Sequence, residues 1–100
     1  MTEFADKSAR SGGVRYRISA DIVANRVADV MVLVNLKSDR IFSLNKTASR
    51  LWEMLASGNN LEQVRANLLV EFDVPANQLD REIDEMISSF KNENLITSEE

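Results

Sequence analysis

Residues 29–55 read DVMVLVNLKSDRIFSLNKTASRLWEML, and within this segment the hydrophobic pattern passes from strand-like to helix-like. Its first part, residues 29–36, is rich in β-branched valine and too short for a typical helix, so it predicts a strand. Lys37, Ser38 and Asp39 supply turn residues. Residues 40–44, RIFSL, resume an extended pattern, with Phe42 and Leu44 on one face and Ile41 and Ser43 on the other. Two such runs across a short turn predict an antiparallel hairpin. Asn45 is a good N-cap, and Ala48, Leu51, Trp52 and Leu55 then share one face of a helix over about 46–57. A hairpin that feeds an amphipathic helix commits the chain to a sheet packed on helices, and RIFSL becomes a strand whose outer edge can stay free.

The flanking segments extend this plan. Val14, Tyr16 and Ile18 alternate with Arg15 and Arg17, which predicts a first strand. Residues 19–28, SADIVANRVA, show no clean period and read as a connection. Gly58 suits the left-handed position after the first helix. Asn60 with Gln63 resembles a capping box ahead of a helix over about 61–72, with Leu61, Val64, Leu68 and Phe72 at helical spacing. Pro75 suits the start of a third helix over about 76–92, whose stripe is Leu79, Ile83, Met86, Ile87 and Phe90. Asn94 can take a left-handed stop, with Leu95 folding back. The expected fold is α+β, a three-stranded antiparallel sheet followed by three helices, the last two joined by a short turn as in helix-turn-helix folds. It occupies residues 14–97. Residues 1–13 bury little apolar surface and end in Ser11-Gly12-Gly13, so a flexible tail is expected there.

Composition bounds the chemistry. One hundred residues, 44% of them hydrophobic, build one small domain. With no cysteine and no histidine, disulfides, thiolate nucleophiles, imidazole bases and the usual zinc ligands are all excluded. No apolar run approaches the roughly 20 residues of a membrane span, and the first residues have no signal-peptide centre, so a cytoplasmic protein without membrane attachment is expected. Residues 1–50 carry nine Lys/Arg against five Asp/Glu, whereas residues 51–100 carry three against eleven. The chain is basic first and acidic last.

The remaining candidates for catalysis are weak. Asp80, Glu82, Asp84 and Glu85 lie off the apolar stripe of the third helix and read as a solvated face rather than an acid/base pair. Ser43, Thr47 and Ser49 have no histidine to activate them, and Lys46 sits at an exposed helix start. No phosphate-binding glycine loop occurs, and Trp52 between Leu51 and Leu55 reads as core. No catalytic residue, metal or cofactor is expected. A helix-turn-helix invites DNA binding, but the third helix sets Asp80, Glu82, Asp84 and Glu85 against Arg81 and Lys91, a surface that repels phosphates. Nucleic acid is therefore not an expected partner, and the competing reading is an acidic winged-helix transcriptional regulator.

What remains is the edge of RIFSL. Only Arg40 in it is charged, so Arg40, Ile41, Phe42, Ser43 and Leu44 can accept an incoming peptide as a further strand. The third helix is the natural second wall of such a groove, bordered by Asp80, Asp84, Ile87 and Lys91 on the flanks of its stripe. Either flank satisfies the sequence.

These residues also carry a resemblance. VLVN, a turn, IFSLN, TASRLWEML, Gly58 before NLEQVRANL, FDVP and a closing IDEMISSFKNENLI follow the order seen in PqqD-like proteins, the RiPP recognition elements, over about residues 16–96. The resemblance implies a winged-helix-like domain that binds the leader of a ribosomally made precursor peptide by strand addition, without catalysis of its own. It implies that the leader pairs with residues 40–44 and packs on the last helix around Ile83 and Ile87. The implied partners are the precursor leader and a modifying enzyme such as a radical SAM protein, a leader peptidase or a cyclase. MVLVNLKSD lacks the proline-containing acidic segment usual in the PQQ member proper, so a leader-binding protein for another peptide product fits equally well.

Overall fold

The valine run lies at the centre of a sheet. In the computed structural model, which describes residues 14–99, the elements are β1 (Arg15–Ile18), β2 (Ile22–Val27), β3 (Val30–Asn35), β4 (Arg40–Ser43), α1 (Lys46–Ala56), α2 (Leu61–Glu71), α3 (Ala76–Asn92) and β5 (Ile96–Glu99). The tail expected over residues 1–13 lies outside the described residues. A three-stranded antiparallel sheet of order β2-β3-β4 precedes the three helices, as expected for this α+β fold. Among the described residues no helix is long and apolar enough to cross a membrane.

Two assignments need correction. Residues 19–28 are not merely a connection: they contain β2, which pairs with β3 from Ile22↔Asn35 to Val27↔Val30. All but the first of its residues are exposed, so no buried face imposes a period of two. The strand read over residues 14–18 exists, but it belongs to a separate two-stranded sheet with β5, in register Arg15↔Glu99 to Ile18↔Ile96. β5 itself carried no strand signal.

Each boundary has a local cause. Asn35, itself buried, accepts the Lys37 and Ser38 N–H groups on Oδ1 and so closes the β3–β4 turn, with Asp39 at φ 63. The Asn45 side chain caps α1 by accepting the Ala48 N–H at 2.8 Å. Asn60 and Gln63 exchange both bonds of a capping box. Gly58 at φ 93 and Asn94 at φ 61 hold the left-handed positions after α1 and α3. The Leu95 N–H then returns to the Phe90 carbonyl at 2.8 Å and carries its side chain into the core.

The core lies between the inner face of the sheet and the helices. Met31, Leu33 and Leu44 meet Leu51, Trp52 and Leu55 of α1, Val64 and Leu68 of α2, and Leu79, Ile83, Ile87 and Phe90 of α3. Trp52 is 2% exposed and meets Phe90 edge to face, with centroids 5.6 Å apart, so it packs as core.

Candidate functional site

Among the described residues the sheet ends at β4, and its hydrogen-bond phase decides what that edge offers. The Leu44 N–H donates to the Met31 carbonyl at 2.9 Å, and the register continues through Leu33↔Phe42 and Asn35↔Arg40. In an antiparallel ladder the bonded pairs alternate, so the backbone groups of Arg40, Phe42 and Leu44 turn toward β3. Those of Ile41 and Ser43 point away from the sheet. The edge thus presents two N–H donors and two carbonyl acceptors. Ile41 is 69% exposed, Phe42 is half-buried against the core, and Leu44 is buried beneath.

α3 forms the second wall. The Arg40 guanidinium lies 5.2 Å from the Phe42 ring centroid and its Nη1 donates to Glu93 Oε1 at 2.6 Å, which joins the start of β4 to the end of α3. This contact settles which flank of α3 faces the edge. Asp80 is paired instead with Arg65 of α2, and that hydrogen bond holds its carboxyl below the ordinary carboxylate range. Lys91 Nζ stands 5.9 Å from the Tyr16 ring centroid on β1. Burial, and after it the Asp84 carboxylate, push the Tyr16 phenol above its ordinary value.

The residues read from the sequence therefore divide. Arg40, Ile41, Phe42, Ser43 and Leu44 come together at the edge. Asp80, Asp84 and Lys91 lie on the flank of α3 that faces α2 and β1, and Ile83 and Ile87 are core residues rather than exposed groove lining. The β4 flank is Glu82, Met86 and Ser89 of the helix with Glu93, its C-cap, spaced at i, i+4, i+7 and i+11. That spacing was present in the sequence; the Arg40–Glu93 contact, with Asp80 held by Arg65 and Lys91 over Tyr16, gives it a direction.

A second concavity, of about 260 Å³, lies among Arg26, Asp29, Lys46, Arg50, Glu53 and Phe72. Its cations are already engaged: Arg26 with Glu53, Arg50 with Glu71 at 2.9 Å, and Lys46 with Asp29 at 3.9 Å. It ties the β2–β3 hairpin to α1 and α2. Among the described residues no group of three His, Cys, Asp or Glu side chains is placed to hold a metal ion.

A three-stranded sheet whose β4 edge is open among the described residues, beside the last of three helices, defines a small winged-helix-like α+β domain. Residues 30–96 match the family described as Coenzyme PQQ synthesis protein D (PqqD), and the chain belongs to that family. Two solved structures share the fold. "TbiB1 in Complex with the TbiA(beta) Leader Peptide" is 25% identical with a TM-score of 0.77, over 80% of this chain and 93% of that one. "Lasso peptide synthetase B1 complexed with the leader peptide" is 24% identical with a TM-score of 0.76, over 83% and 98%. No curated protein matches the chain. These matches give no support to a transcriptional regulator.

Proposed function

We propose that this protein binds the leader of a ribosomally synthesised precursor peptide as an added strand on β4 and presents it to a separate modifying enzyme. The observation that carries this reading is the outward phase of Ile41 and Ser43 at the end of the sheet. Membership of the PqqD family and likeness to two leader-bound proteins support it. A chain without histidine or cysteine suits a carrier better than a catalyst, and the chemistry falls to a partner such as a radical SAM protein, a leader peptidase or a cyclase. Its place is the cytoplasm, where such precursors are made.

Magnitudes show what the edge has to add. Four backbone hydrogen bonds contribute about 2 to 6 kcal/mol net, and ordering a disordered peptide costs about 2 to 5 kcal/mol. Micromolar binding, about 8 kcal/mol, therefore needs side-chain contacts, and the half-buried Phe42 and Met86 supply an apolar seat for them.

The test is an amide titration of labelled protein with synthetic leaders of candidate precursor peptides. Shifts concentrated on residues 40–44 and on the Glu82, Met86, Ser89 and Glu93 flank are expected. Shifts confined to α1 and α2 would falsify the assignment.

A further inference from the structure

The helical wall of the groove is acidic at both ends. Along the β4 flank of α3 the order is Glu82, Met86, Ser89, Glu93; both glutamates and Met86 are half-buried, and Ser89 is exposed. With 3.6 residues per turn, Arg81 and Lys91 fall on other faces of the helix. Glu82 accepts a hydrogen bond from the Gln78 amide at 3.0 Å, and Glu93 accepts from Arg40 through an exposed pair of the kind that contributes little. A shallow hollow of about 410 Å³ carries the negative surface further round the helix, lined by Asp84, Glu85 and Glu93 with Ser88, Ser89 and Asn92, and by no cation.

We infer that the leader's docking segment is basic. Its Lys or Arg side chains stand at two positions four residues apart on the face turned to α3, where they meet Glu82 and Glu93, and an apolar residue between them seats against Phe42 and Met86. This rests on the β4 strand-addition reading. In a strand, positions i and i+4 share a face and lie about 13 Å apart. Glu82 on α3 and Glu93 at its C-cap are eleven residues apart, about 16 Å along the axis, and the reach of lysine or arginine closes the difference. An added strand strips water from both half-buried carboxylates, so a neutral or acidic residue beside Glu82 leaves its charge with only the Gln78 amide, and an acidic one beside Glu93 opposes a charge that Arg40 alone balances. A leader cation at Glu93 takes over the place of Arg40.

The experiment is selection from a phage-displayed library of random 12-residue peptides on the full chain, with the enriched peptides re-measured on Ser43→Pro and on the double variant Glu82→Gln/Glu93→Gln. Enriched peptides are expected to carry Lys or Arg at two positions four apart around an apolar residue. Their affinity for the unmodified chain should fall as salt is raised, they should be lost on Ser43→Pro, and they should bind the double variant at least tenfold more weakly. Peptides lost on Ser43→Pro but neutral or acidic at those positions, insensitive to salt, or unchanged on the double variant overturn the basic-leader inference and leave the edge reading standing. Peptides indifferent to Ser43→Pro overturn the edge reading and the inference with it.

Discussion

The Ser49 hydroxyl accepts the Met31 N–H at 2.8 Å, and the same oxygen donates to the Leu44 carbonyl at 3.1 Å. It replaces the direct bond between those two backbone groups at the last rung of the β3–β4 ladder. A side chain of α1 thereby fastens the exit of β4 and holds the register that turns Ile41 and Ser43 outward. Ser49 is 1% exposed, so water cannot take its place.

Ser49→Ala should therefore leave a buried donor and a buried acceptor unpaired. The expected loss is about 2 to 3 kcal/mol, and in a domain of this size the melting temperature should drop by about 10 °C or more. Thermal unfolding followed by circular dichroism measures it; a drop of only a degree or two would mean that the rung closes without the hydroxyl.

Ala28, at φ 57 in the two-residue β2–β3 turn, is a non-glycine residue in left-handed geometry. Its Cβ crowds the following carbonyl there, a cost glycine does not carry, although glycine adds freedom to the unfolded chain. Ala28→Gly should stabilise the protein by about 0.5 to 1 kcal/mol, read as a higher urea midpoint with an unchanged slope.

Ser43→Pro removes one of the two outward donors of β4. Proline is tolerated on an edge strand where its missing N–H faced solvent, so the fold should survive with its melting temperature nearly unchanged. Leader binding measured by calorimetry should weaken at least tenfold, since the ring also blocks the approach of an added strand. Full affinity in a folded variant would argue that the peptide docks elsewhere.

Tyr16 is the protein's one tyrosine, which makes its titration readable. Its phenol is raised above 10.0 first by burial and then by Asp84. The neutral form is favoured in the fold, so the associated stability is complete below the unfolded value and is lost as pH rises through the higher folded one. Asp84→Asn should bring the phenolate transition, followed by absorbance, part of the way back toward 10.0 and leave the shift due to burial in place. An unmoved transition would place the whole effect in burial.

Much of the architecture was legible because its causes are local. Asn45, Gly58, the Asn60–Gln63 box and Asn94 act within a turn of their own position, and the apolar stripes of α1 and α3 are properties of each helix alone. The RIFSL edge was legible for a similar reason: alternation sorts Phe42 and Leu44 from Ile41 and Ser43 before any partner is known.

What eluded the sequence depends on partners distant along the chain. β2 is exposed along nearly its whole length and becomes a strand because β3 offers it a ladder. β1 meets β5 across about eighty residues, and nothing in ITSE announces that pairing. The periodicity of α3 showed two flanks and could not orient them, because helical spacing is blind to rotation about the axis. Arg40 reaching Glu93, Asp80 held by Arg65 and Lys91 over Tyr16 fix that rotation in the folded molecule. The sequence alone thus specified the three helices, the β3–β4 hairpin and its outer edge, while tertiary packing made β2 and β5 strands and chose the helix face beside that edge, since those outcomes rest on contacts between residues far apart in the chain.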